Sequence, residues 1–134
     1  MVTAKEAEHI LREVKGNSSF RLHMGADIKS LKELAEALDI MADKAFSHHI
    51  TESRNDFSVW VRDVLGDEEL ARKIAQMKNK AAIRFAIIRR IEEHENKMAE
   101  THVTTTELLN MGAVDFLIGM IIGFVGGIIV AMVI

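Results

Sequence analysis

His48 and His49 stand side by side in the chain, with His23 and several acids nearby in sequence, and here the residue types come closest to a metal or proton-transfer site. Neighbouring residues on a helix point about 100° apart, and no metal-binding spacing such as HExxH occurs anywhere. One imidazole of the pair is therefore expected to pack at the end of the preceding helix while the other stays in water. No GxSxG, phosphate-cradling glycine loop or dinucleotide fingerprint is present. The chain has no cysteine, which closes thiolate chemistry, disulfides and Cys-based metal sites. The sequence thus nominates no catalytic, cofactor-binding or metal-ligating residue and no cofactor, and an enzyme using His48 or His49 ranks last among the readings.

Two further groups have chemical potential. Trp60, the single tryptophan, is expected in the core with Phe57 and Phe46. Arg89 and Arg90 with Glu92, Glu93 and Glu95 read as a solvated face laced by weak ion pairs, with partner binding as the sharper alternative. Globally, 17 basic and 20 acidic residues give a net charge of −3, too small a field to attract nucleic acid.

The elements that would position these residues are helical. With no proline, and five of its 8 glycines at or after Gly112, the first hundred residues have few breakers. Thr3 and Glu6 form a capping box before an amphipathic stripe of Ala4, Ala7, Ile10, Leu11 and Val14. Phe20, Leu22 and Met24 alternate in an extended segment that turns at Gly25, too short to predict a sheet. Ser30 and Glu33 form a second capping box, and Leu31 through Phe46 keeps one apolar stripe over four turns. Ser53, ahead of Asn55, is expected to cap a helix bearing Phe57, Trp60, Val61, Val64 and Leu65, closed by Gly66; Asp67 caps the next. From Glu68 the pattern predicts one unbroken helix of about thirty residues, its AAIRFAII centre covered by other helices and its Arg89–Lys97 stretch in water. Thr104 and Glu107 offer a third capping box after a polar, β-branched hinge.

Residues 116–134 carry no charged or hydrogen-bonding side chain, and as a helix they would be roughly 28 Å long, close to the hydrocarbon thickness of a bilayer. A transmembrane helix over 113–134 is expected; a buried core helix is the alternative, disfavoured because so small a domain could hardly wrap such a rod. All 17 basic residues precede the run and the N-terminus lacks a secretory signal pattern, which predicts a single-pass protein with its N-terminal domain in the cytoplasm. Gly119, Gly123, Gly127 and Ala131 recur every four residues, with Gly126 beside them, Gly112 seven before Gly119, and Asp115 continuing the stripe. Small residues so spaced let two helix backbones approach closely in lipid, although glycine is also frequent in membrane helices generally.

The stretch FRLHMGADIKSLKELAEALDIMADKAFSHHITESRNDFSVWVRDVLGDEELARKI carries a resemblance, through Phe20, Gly25, Ser30-Leu31, Phe46, His49, Asn55-Asp56-Phe57, Trp60, Gly66-Asp67 and Leu70-Ala71. Over about residues 20–75 it resembles an uncharacterised, mainly archaeal domain family of unknown function. The resemblance implies an all-helical domain with an accessory or interaction role and assigns no activity.

The fold expected is all-α: a small helical bundle with one long helix over residues 1–100, a hinge over 101–112, and a single C-terminal transmembrane helix over 113–134. The functional expectation is a tail-anchored, self-associating membrane adaptor or scaffold, homo-oligomeric through its anchor, with an unidentified protein partner and no nucleic acid. The alternative is a subunit of a small oligomeric pore or transporter, with Asp115 at its mouth; a single span without internal polar groups makes an aqueous path difficult.

Overall fold

The computed structural model describes residues 3–23 and 25–100, and among them the structure is mainly helical. The chain divides into two compact units, Met1–Met98 and Ala99–Ile134, and the hydrophobic core found among the described residues lies in the first. Helix α1 spans Ala4–Leu11 and opens on the expected box, Thr3 accepting from the Glu6 N–H while Glu6 accepts from the Thr3 N–H. The helix ends before Val14, whose N–H donates instead to the Lys29 carbonyl at 2.7 Å.

The extended segment pairs after all. β1 (Phe20–Arg21) and β2 (Asp27–Ile28) form an antiparallel hairpin with Phe20 opposite Ile28 and Arg21 opposite Asp27. The alternation of strand side chains buries Phe20 and Ile28 while Arg21 and Asp27 form a 3.1 Å surface ion pair.

The single helix expected over Leu31–Phe46 is two helices. α2 covers Leu31–Ile40 and α3 covers Asp43–His49, with Met41 and Ala42 extended between them. The apolar stripe runs on through the break because Met41 and Phe46 are both buried, so hydrophobic spacing does not reveal it. The carbonyl of Met41 is instead taken by the Lys80 ammonium, a partner 39 residues away. Ser30 caps α2 as expected, whereas Glu33 reaches one residue further back than a capping box requires and accepts from the Lys29 N–H.

Asn55, not Ser53, caps α4 (Asp56–Trp60): its Oδ1 accepts from the Ser58 N–H, and its Nδ2 donates to the Ile74 carbonyl at 2.8 Å. Ser58 adds a 2.8 Å bond to the Ala71 carbonyl. These two polar side chains bind the start of α4 to α5 (Glu68–Ala75) through backbone carbonyls of the later turns of α5. After α4 the chain makes a π-helical turn over Val61–Leu65 that ends at Gly66, whose φ of 77° is the left-handed conformation favouring glycine.

The long helix expected from Glu68 is also two. α5 stops at Ala75, and residues 80–100 are helical (α6). Asn79 starts α6, its side chain accepting from the Ala82 N–H and its carbonyl from the Ile83 N–H. Ile83, Ala86 and Ile87 are buried as expected of the AAIRFAII segment, but Phe85 is 64 % exposed. The Arg89–Lys97 stretch is not simply solvated either, since Arg90 and His94 are buried. Among the described residues no helix is long and apolar enough to cross a membrane. The expected hinge, the transmembrane segment and its stripe of Gly112, Asp115, Gly119, Gly123, Gly126, Gly127 and Ala131 lie outside the described residues.

Candidate functional site

Three places in the domain gather polar or exposed apolar side chains, and they differ in what their groups leave free. In the first, Asp67 caps α5 by accepting from the Leu70 N–H at 3.0 Å and faces Arg90 on α6. Arg90 donates through Nε to Oδ2 at 2.7 Å and through Nη2 to Oδ1 at 2.9 Å, the bidentate fork that guanidinium geometry favours. His94, one turn further along α6 and wholly buried, places Nε2 3.3 Å from Oδ2. Four donors therefore saturate the two carboxylate oxygens. Burial by itself would push the Asp67 carboxyl up, but the bonds from Arg90 and Leu70 outweigh it and hold the group below the usual carboxylate range. Arg90 is raised by its hydrogen bonds to Asp67 against the cost of burial, with Glu69 adding a 2.9 Å pair on the surface side. An acid so occupied has no lone pair to offer a substrate. It clamps the start of α5 to α6.

The second place is the histidine cluster. His49 is buried and His48 exposed, the division expected of the pair. The His49 ring packs against Phe20 and Phe57, at centroid distances of 5.0 and 5.4 Å. Its Nε2 accepts from the His23 N–H at 2.9 Å, so the proton lies on Nδ1, which donates to Asp56 at 3.2 Å. Arg54 then bridges Asp56 and the His48 carbonyl, and His23 stacks on His48 with centroids 3.9 Å apart. Both nitrogens of His49 are spent inside the protein, which leaves none to bind a metal or accept a substrate proton. The cluster fixes the hairpin turn to the end of α3.

The third place is concave. A groove of about 810 Å³ opens between the hairpin turn and the α2–α3 break, walled by Leu22, Ala37, Met41 and Ala45, with Glu33 and Glu36 on its rim. Its origin is the break itself: ending α2 at Ile40 leaves that side chain 87 % exposed at the groove's lip. His23 and Lys44 join the carboxylates among its lining residues, and a largely apolar cleft with a few polar groups at its edge has the form of a binding site. Residues 13–111 match the family described as "Family of unknown function (DUF5752)".

The chain belongs to that family. The DUF5752 match spans the clamp, the histidine cluster and the groove, a wider stretch than the 20–75 resemblance, and it stops short of the apolar run at 116–134. No curated protein and no solved structure matches the chain.

The sequence reading missed both the clamp and the groove. Asp67 was legible as a cap, but its pairing with Arg90 and His94 spans more than twenty residues of sequence. A weak signal did exist in the i, i+4 spacing of Arg90 and His94, which places both on one side of α6. The groove depends on a helix break that carries neither glycine nor proline.

Proposed function

We propose that this DUF5752 chain is a membrane-anchored, self-associating adaptor that holds a helical binding domain at the cytoplasmic face of a membrane. The observation that carries the reading is the nineteen-residue run 116–134, which lacks any charged or hydrogen-bonding side chain, in a chain whose preceding unit has a hydrophobic core of its own. All 17 basic residues precede that run, which favours retention of the domain on the cytoplasmic side. A binding role is supported by the open groove, and by the commitment of the Asp67 carboxylate and of both His49 nitrogens to partners inside the protein.

Self-association follows from the four-residue stripe of Gly119, Gly123, Gly127 and Ala131, where only small side chains let two helices meet backbone to backbone in lipid. Gly123→Ile is expected to reduce association, read by crosslinking in bilayers or by a membrane two-hybrid signal. Val125→Ile, about 200° around the helix from Gly123, is expected to leave it nearly unchanged. Equal behaviour of the two variants, or a wild-type chain that is monomeric in bilayers, sinks the stripe and with it this mode of assembly.

A further inference from the structure

We propose that His49 is an acid-operated latch on the hairpin wall of the groove: a proton taken up at its Nε2 releases the turn over residues 22–26 from α3. The inference rests on the groove as a binding cleft, and its test reads the position of the wall rather than binding, so the two can fail separately. A backbone N–H can only donate, so the 2.9 Å bond from the His23 N–H fixes a lone pair on Nε2, and the ring is neutral while the latch is shut. An imidazolium carries N–H groups on both nitrogens, which sets two donors against each other at that distance. Uptake of a proton at Nε2 therefore breaks the N–H···N bond, and the His23 N–H turns to water.

Asp56 makes the charged ring tenable. Its Oδ2 takes the Nδ1–H at 3.2 Å in either form of the ring, and facing an imidazolium that contact becomes an ion pair. The other charged or titratable groups beside the ring are His23 from the hairpin turn, His48 on α3, and Arg54, which holds Oδ1 of Asp56 at 3.1 Å and leaves Oδ2 to His49. Phe20 and Phe57 also pack against the ring. The rings of His23 and His48 are stacked with centroids 3.9 Å apart, so charging both pushes the turn and α3 apart in the same sense. The turn can move as a unit, because the Leu22 N–H donates to the Ala26 carbonyl at 3.3 Å and the Gly25 N–H to the Leu22 carbonyl at 3.2 Å, both within it. Leu22, His23, Gly25 and Ala26 line the groove from the hairpin, while Ala37, Met41 and Ala45 line it from α2, the break and α3. Opening the latch therefore moves one wall of the cleft and leaves the other in place.

The test uses the full-length chain in mild detergent with spin labels on Ala26→Cys and Ile40→Cys, exposed positions that line the groove in a chain with no cysteine of its own. Nitrogen-15 NMR follows protonation of the His49 ring and exchange of the His23 amide, both kept above about pH 5, where the Asp67 clamp stays ionised. One shared midpoint is the expected result: as the ring charges, protection of the His23 amide falls on the order of tenfold and the label separation lengthens. Raising the pH reverses both. His49→Gln, whose side-chain carbonyl can take the His23 N–H but no proton, is expected to hold the separation constant over the same range. The wild-type readings decide the matter even if that variant does not fold. A ring that stays neutral down to about pH 5, a separation that ignores ring protonation, or a lengthening that persists in His49→Gln overturns the proposal.

Discussion

Asp67→Ala is expected to destabilise the domain by about 3 kcal/mol, the lower end of what removing one member of a buried ion pair costs, because Glu69 and Glu93 still pair with Arg90 from the surface side. The side chain of Asp67 is 1 % exposed and that of Arg90 8 %, so the change removes the buried fork on the guanidinium and the 3.3 Å contact to the wholly buried His94. The same change also removes the cap from α5. Urea denaturation of the full chain in mild detergent, followed by circular dichroism, gives the number, and a loss below about 1 kcal/mol would show that the clamp is replaceable. The clamp also sets an acid limit. Because the folded carboxyl titrates below its ordinary value, its contribution is fully present above about pH 4 and is lost as pH falls through the folded-state pKa. Wild-type stability should therefore decline below that pH, and Asp67→Asn should flatten the decline.

Trp60→Ala is expected to cost about 3 to 5 kcal/mol as well, through loss of a large buried side chain. Trp60 is 6 % exposed, lies 5.8 Å from Phe20 between ring centroids, and donates Nε1–H to the Ser18 carbonyl at 2.9 Å. It thereby joins the segment before the hairpin to the end of α4, and its removal opens a cavity and leaves a carbonyl without its partner. Since it is the only tryptophan, the variant has to be followed by circular dichroism rather than intrinsic fluorescence. A loss below about 1 kcal/mol would mean that the surrounding side chains collapse into the space.

Local signals in the sequence were legible where local chemistry decides the structure. Thr3 with Glu6, Ser30, Gly66 and Asp67 each terminate a helix as their side chains or φ angles dictate. The departures arise where a distant group decides. Met41 leaves the helix with its carbonyl on Lys80, and Asn55 outcompetes Ser53 as a cap because its amide also reaches the Ile74 carbonyl. Asn79, which ends the expected long helix, could have been recognised as a cap, but the stripe through Ile74, Met77 and Ala81 hid it. For the candidate site, the fate of His48 and His49 was readable from the 100° offset of neighbours on a helix. The groove was not, because it is the space left by a break that only tertiary contacts impose.

The central claim is that residues 116–134 hold the chain in a bilayer, and alkaline carbonate extraction of a membrane fraction tests it most directly. The full-length chain should sediment and resist extraction, while a chain shortened to end at Glu107 should appear in the supernatant. A full-length chain released by carbonate, or a shortened chain that stays with the membranes, would contradict the claim.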